Sequence, residues 1–151
     1  MLTIVALLTL SPIITPRLAE AYGKDFSAYE AILGKPDDVY KEDERQDRIW
    51  RRKDGSIVDV AKEKGATRVT AVLITFPDGQ PRTWKSRLKQ IGVGIDKAKS
   101  NRVREVANIQ GCTKIPSDWT VWWEPRTQKP VKSASHHQDE VILGISHPRI
   151  Y

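Results

Sequence analysis

Cysteine is almost absent from this chain: Cys112 is the one cysteine among 151 residues, so no disulfide bond can form within the chain. No glycine-rich phosphate loop is present either. The one long apolar run, Leu2 to Leu10, is too short to cross a bilayer. These absences exclude a disulfide-stapled scaffold and a P-loop nucleotide-binding protein, and we expect the lone thiol to be buried.

The composition is that of a folded domain. Apolar residues make up 39% of the chain, five tryptophans are present, and charged residues make up 29%. A chain of this length and apolar content can bury a core, and it lacks the composition of an intrinsically disordered protein. We therefore expect one compact domain, or two small units that share a core.

The first 21 residues have most features of a secretory signal peptide. The apolar run Leu2–Leu10 is followed by prolines and then by the small-residue pattern Ala19-Glu20-Ala21, although no Lys or Arg precedes the run. This pattern predicts a signal peptide over residues 1–21 with cleavage before Tyr22, and hence a secreted or periplasmic protein. The alternative is an N-terminal segment that packs on the core.

The two halves of the chain repeat one order of features. Each half has a short helical stretch that runs into a glycine turn, then a strand with tryptophan, then an apolar run stopped by a proline. These segments are 28–36, 48–52 and 69–77 in the first half, and 84–92, 121–125 and 139–148 in the second. We therefore predict an α+β fold of two tandem helix-plus-antiparallel-sheet units, residues 22–80 and 81–151, with helices packed on one face of the sheet.

Local spacing predicts individual elements within these units. Apolar residues at helical intervals predict helices over 25–33, ended by Gly34, and over 83–91. The run 68–76 is apolar on both sides of a strand, which is typical of a central strand. Asp-Gly at positions 54 and 55 favours a two-residue hairpin loop. Residues 97–110 have the apolar spacing of a helix, but their charge pattern leaves the segment undecided.

The tryptophans are the strongest clue to a binding surface. We predict that Trp50 and Trp123 are core anchors at matching places in the two units. In a strand, Trp119, Val121 and Trp123 share one face and Trp122 lies on the other.

One stretch of the first half resembles a known family. The string Ile32-Leu33-Gly34-Lys35-Pro36-Asp37-Asp38-Val39, followed by Trp50 and then Asp54-Gly55, is similar to the small outer-membrane lipoprotein A family of the β-barrel assembly machinery and to the β-lactamase inhibitor protein fold. The resemblance covers residues 25–77, and in the second half Gly92-Val-Gly94 stands where the Gly-x-Pro turn would be, without its proline. It implies an exported protein-interaction or envelope module without catalysis. Cys112 is not at a lipidation position, so no lipid anchor is implied.

We therefore predict a non-enzymatic, exported protein that binds another protein through an open sheet face. Trp122, Ile49 and Arg51 are the predicted contacts, because an aromatic ring on an exposed strand buries area at low entropic cost. The alternative for Trp122 is that the N-terminal segment or a dimer partner covers this face.

A second function remains open, because the positive charge is concentrated in one segment. Residues 82–104 carry a net charge of +7, which leaves −1 for the rest of the chain. This segment could bind an anionic lipid, polysaccharide or nucleic acid, although no nucleic-acid motif accompanies it, and the alternative is a solvated helix face. The predicted anion-binding residues are Lys85, Arg87, Lys89, Lys97, Lys99, Arg102 and Arg104.

Enzymatic or metal chemistry has little support in the sequence. His136, His137 and His147 with Asp139 are the candidate metal ligands, but adjacent histidines on an extended chain point to opposite faces. Ser133 and Ser135 have no nucleophile-elbow pattern around them. We therefore predict no catalytic residue, no metal site and no cofactor.

Overall fold

The structure is a computed structural model that describes residues 16–76, 83–104, 106–125 and 139–145. A 3-10 helix over Pro16–Glu20 precedes two α-helices, α1 (Phe26–Leu33) and α2 (Trp84–Gln90). The described ranges also contain eight strands: β1 (Asp38–Lys41), β2 (Arg45–Arg51), β3 (Ile57–Glu63), β4 (Ala71–Thr75), β5 (Lys99–Val103), β6 (Val106–Gln110), β7 (Thr120–Glu124) and β8 (Glu140–Gly144).

Both predicted helices are confirmed, and their ends follow from local chemistry. The side chain of Asp25 caps α1 by accepting a hydrogen bond from the Phe26 amide at 2.8 Å. Gly34 ends α1 with φ of 83°, a conformation that glycine adopts without strain. Thr83 caps α2 through its hydroxyl, which accepts from the Ser86 amide at 3.2 Å.

All eight strands form one antiparallel sheet in the order β1-β2-β3-β4-β8-β7-β6-β5. The α+β prediction is therefore confirmed for the parts of the chain that the structure describes. Strands β4 and β8 pair in the middle, with Leu73 opposite Ile142. The central place of β4 agrees with its apolar residues on both faces.

Residues 97–110, which the sequence pattern leaves undecided, contain the strands β5 and β6. The predicted two-residue hairpin loop at Asp54 and Gly55 needs correction. The hairpin is closed beyond the strand ends by the Arg52 amide, which donates to the Ser56 carbonyl at 2.9 Å, so its loop has three residues, 53–55. Gly55, with φ of 86°, supplies the left-handed residue that such a loop requires.

The predicted match between Trp50 and Trp123 is wrong. Trp50 lies on β2, two strands from the central β4–β8 pair, whereas Trp123 lies on β7, directly beside β8. Both still face the core: Trp50 is buried in it, and Trp123 is partly buried against it. The alternation of side chains along a strand therefore predicts correctly that both tryptophans face the core. The similarity of the two short segments predicts wrongly that they occupy equivalent strands.

One hydrophobic core joins the helices to the sheet. Phe26 and Tyr29 of α1 and Leu88 of α2 belong to the same buried cluster as alternate residues of the inner strands. The cluster also includes Leu18 and Ala21, both fully buried, which precede the predicted cleavage point. Cleavage before Tyr22, as the sequence predicts, would therefore remove both residues from the core.

Candidate functional site: the second face of the sheet

The strand side chains that alternate away from the core form a surface that we call the second face. Register places one row of these side chains straight across all eight strands. From β1 to β5 this row is Asp38, Ile49, Asp59, Leu73, Ile142, Trp122, Asn108 and Asn101. The row brings two of the predicted contact residues, Ile49 and Trp122, onto one line, four strand spacings or about 19 Å apart.

Trp122 is half-buried on this face, in contrast to its neighbours Val121 and Trp123, which face the core. Its indole Nε1 donates to the Thr120 hydroxyl at 3.1 Å, and that hydroxyl donates to the Gly144 carbonyl at 3.2 Å. The ring is therefore held in orientation by the sheet itself, which lowers the entropy that a contact would have to overcome.

Ile49 is also half-buried, and Arg51 lies two residues further along β2 and is exposed. The guanidinium of Arg51 is paired with Asp38, and its backbone amide donates to Asp37 at 2.5 Å. Arg51 is therefore on the predicted face and accessible, but part of its charge is neutralised within the chain.

The middle of the second face is less open than a bare sheet surface. Ile142 is 0% exposed although it lies outside the core cluster, and Leu73 beside it is half-buried. The apolar centre of the row is thus flanked by partly accessible side chains at Ile49 and Trp122.

A cavity of about 220 Å³ opens on the second face beside this apolar centre. Ala61 and Ala71 are paired across β3 and β4, and their side chains are smaller than those of the adjacent pair Asp59 and Leu73. This difference leaves a depression in the second face over β3 and β4. Leu73 and Ile142 form its apolar side, and Asp59 and Arg45 add charged groups.

Asp59 is the unusual group of this cavity. Its Oδ1 is buried and accepts no hydrogen bond from the residues that the structure describes. The nearby guanidinium of Arg45 is held by Asp47 instead, with Nε and Nη2 at 2.7 and 2.6 Å from Asp47 Oδ1. Burial, the largest cause, and the neighbouring Asp47 raise the pKa of Asp59, whereas Arg45 lowers it, and the net pKa is about 6 instead of 3.8.

Removing the charge of Asp59 should stabilise the protein at neutral pH. Because the folded pKa exceeds the unfolded one, stability falls as pH rises from about 4 to about 6, and the cost persists above that window. We expect Asp59→Asn to raise the free energy of unfolding by about 1–2 kcal/mol at pH 7.5, with no gain near pH 4. Urea unfolding at both pH values measures this. The exposed Asp43→Asn is the control, and a loss of stability in Asp59→Asn at pH 7.5 would contradict the prediction.

Arg87 is misplaced among the predicted anion-binding residues, because it is fully buried. Its Nε and Nη2 donate to the two oxygens of Asp139 at 2.6 and 2.7 Å, and its guanidinium lies 4.2 Å from the centre of the Phe76 ring. Trp123 Nε1 donates to the same carboxylate at 3.4 Å. Both charges are used internally, so Arg87 cannot take a surface anion, and Asp139 cannot serve a metal or triad.

The other predicted anion-binding residues are exposed. Lys85 and Lys89 lie on α2, and the remaining four lie on or beside the edge strand β5. Within the described ranges, none of these six forms an ion pair, whereas six basic residues between positions 45 and 68 do. The six exposed residues are Lys85, Lys89, Lys97, Lys99, Arg102 and Arg104.

The described residues contain neither a candidate metal site nor an activated thiol. His136, His137, His147, Ser133 and Ser135 lie outside the described residues. Among the described residues, no group of three or more His, Cys, Asp or Glu could hold a metal ion. Cys112 is half-buried, and burial raises the pKa of its thiol to about 11, so it stays protonated at neutral pH.

Asp59 and Leu73 lie on the second face but are not among the contact residues predicted from the sequence. The signal was present in the string Ile57-Val58-Asp59-Val60-Ala61, where alternation puts the valines on one face and the carboxylate between two apolar residues on the other. A charged residue at the centre of such a strand indicates that this face of the strand is not packed entirely within an apolar core.

Comparisons with known proteins give little further information. No family model and no curated protein matches the chain. Among solved structures, the chain is similar to a cysteine-rich secretory protein from Staphylococcus aureus subsp. aureus Mu50, with 12% identity and a TM-score of 0.43. The match covers 83% of this chain and 44% of that one, so this chain spans less than half of that protein's length. None of the helices in the described ranges has the length and apolarity needed to span a membrane.

Proposed function

We propose that this chain is an exported, non-enzymatic module that binds a partner protein through the second face of its sheet. The observation that carries the proposal is the row that joins Ile49, Leu73, Ile142 and Trp122 across five adjacent strands. Ile49, Leu73 and the oriented Trp122 are the partly accessible apolar residues of this row, in which Asp59 lies between Ile49 and Leu73. Aromatic and apolar anchors of this kind are typical of a protein-interface centre. The sheet is about 34 Å wide and its strands about 17 Å long, so the second face alone is smaller than the roughly 800 Å² that each partner contributes to a standard interface.

We further propose that the fold consists of two tandem units, with both helices on the core side of the sheet. In each half, a helix leads into four strands that pair in sequence, and the fourth strands β4 and β8 meet in the centre. Each helix is followed by a glycine with positive φ, Gly34 at 83° and Gly92 at 79°. In this arrangement neither α1 nor α2 covers the second face, as the binding proposal requires.

The second face is acidic, whereas the whole chain is basic. Its strand residues include six carboxylates and three basic side chains, whereas the chain carries a formal charge of +6. The carboxylates are Asp38, Asp47, Asp59, Glu63, Glu124 and Glu140, and the basic residues are Arg45, Arg51 and Lys99. A net charge of −3 on this face favours a basic partner surface.

Trp122→Ala tests this function. The full chain is used to capture partners from the envelope fraction of its source cells, and the captured protein is then purified for affinity measurement. We expect Trp122→Ala to weaken binding about 30-fold or more, as at an aromatic hot spot, with binding retained at 200 mM salt. Trp84→Ala, which removes an aromatic ring from α2, is the matched control. Equal binding by wild type, Trp122→Ala and Ile49→Ala would exclude the second face as the binding surface.

A second candidate function rests on the six exposed basic residues between positions 85 and 104, four of them at the edge strand β5. Such charge could hold an anionic lipid or polysaccharide, but basic side chains on an edge strand also prevent edge-to-edge pairing between sheets. In this alternative, changing Lys97, Lys99 and Arg102 to glutamate abolishes binding, and binding falls steeply between about 50 and 200 mM salt. Binding that survives both changes leaves the second face as the site.

A further inference from the structure

The cavity beside Asp59 suggests which chemical group the second face recognises, and this inference rests on the proposed function. We propose that the cavity receives one basic side chain, lysine or arginine, of the partner protein, whose cationic group pairs with Asp59.

The shape of the cavity favours a long, thin side chain. Its volume is about 220 Å³, and the small residues Ala61 and Ala71 leave space above the sheet. The partly accessible Leu73 offers an apolar side along which a methylene stem can lie, as lysine and arginine stems do on apolar surfaces, and the fully buried Ile142 lies behind it. A cation at the end of that stem reaches the polar part of the cavity.

The charge of the cavity favours a cation. Asp59 and Asp47 together outnumber Arg45, and the guanidinium of Arg45 is bound to Asp47. Asp59 is half-buried and its Oδ1 accepts no hydrogen bond from the described residues, so the carboxylate carries a desolvation cost that a cation at its accessible side would offset. An acidic or apolar partner group would leave that carboxylate unpaired and more deeply buried.

The groups that face Asp59 define what the cation meets. Asp47 and Arg45 face it from β2, while β4 and β8 contribute the uncharged Leu73 and Ile142 next to it in the row. One carboxylate therefore remains for an incoming cation, which predicts recognition of a single basic residue instead of a basic tract.

A displayed library of random peptides, selected on the immobilised full chain, tests the inference. We expect selected peptides to share a lysine or arginine at one fixed position. In a synthetic peptide, replacing an arginine there with the neutral isostere citrulline should weaken binding 10-fold or more. Asp59→Asn should weaken the parent peptide by a similar factor and should bind the parent and citrulline peptides equally. Asp59→Asn is expected to keep its fold, which its thermal unfolding verifies.

The outcomes separate this inference from the proposed function. Peptides that lose affinity with Trp122→Ala but bind wild type and Asp59→Asn equally overturn the inference and leave the second face as the binding surface. Peptides unaffected by Trp122→Ala, Ile49→Ala and Asp59→Asn count against both. A selection that yields no peptide above background, or peptides without a shared basic residue, also overturns the inference.

Discussion

Asp139→Ala is expected to lower the free energy of unfolding by about 3–5 kcal/mol, because it leaves the guanidinium of Arg87 buried without its counter-ion. Both side chains are 0% exposed and joined by two short hydrogen bonds. The pair ties α2 to the chain that enters β8, and the Phe76 amide also donates to the Asp139 carbonyl at 3.0 Å. Chemical unfolding of the single variants Asp139→Ala and Arg87→Met measures the effect.

Removing both charges should cost less than removing one. In the double variant Arg87→Met with Asp139→Ala, no buried charge is left uncompensated, so its loss of stability should be smaller than the sum of the losses in the two single variants. The exposed pair Lys64–Glu44 provides the control, where Glu44→Ala should change stability by less than about 1 kcal/mol. If Asp139→Ala behaves like Glu44→Ala, the pair is not buried in solution.

This pair also changes how the anion-binding alternative can be tested. A variant that includes Arg87→Glu would place a second carboxylate beside Asp139 and unfold α2, so lost binding would say nothing about a surface anion. The exposed Lys97, Lys99 and Arg102 are therefore the residues to change.

The sequence predicts the local elements well because their signals come from near neighbours. A capping carboxylate at Asp25 and a terminating glycine at Gly34 bracket α1 within ten residues, and strand alternation correctly separates Trp122 from Trp123. The apolar residues of β4 on both faces give its central place. Each of these signals depends on spacing alone, and spacing is visible in one sequence.

Contacts between residues far apart in the chain cannot be predicted from local patterns. Arg87 and Asp139 are 52 positions apart, so no local pattern joins them. One signal was available, since Arg87 is three residues after Trp84 and four before Ile91, within the apolar stripe of α2. The tryptophan strands were likewise assigned to equivalent places on composition, whereas strand position is set by pairing across the sheet.

The candidate site is likewise only partly predictable from the sequence. Alternation was enough to put Trp122 and Ile49 on the same face, but the cavity depends on the register of β2, β3, β4 and β8. Asp59 becomes notable only when Asp47 lies beside it on the neighbouring strand and Leu73 borders it on the other side. A single sequence does not contain that register.

A chain that begins at Tyr22 is expected to be less stable than the full chain by at least the cost of losing Leu18, about 2–5 kcal/mol. Leu18 is fully buried in the core cluster, and the Leu18 carbonyl accepts from the Ala21 amide at 3.0 Å. Tyr22 is itself 7% exposed, with its hydroxyl donating to the Ile91 carbonyl at 3.0 Å. Cleavage before Tyr22 would therefore add a charged amino group at a buried position, which raises the cost further.

Two measurements separate this packing from the predicted signal peptide. Leu18→Ala in the full chain should lower the free energy of unfolding by about 2–5 kcal/mol, while Glu20→Ala, in an exposed ion pair with Arg17, should change it by less than about 1 kcal/mol. The intact mass of the exported protein then gives the cleavage point. A mature chain that starts at Tyr22 and is as stable as the full chain would show that Leu18 is dispensable to the core. A start before Leu18 would move the predicted cleavage site upstream, because an exported protein that needs Leu18 in its core must retain it.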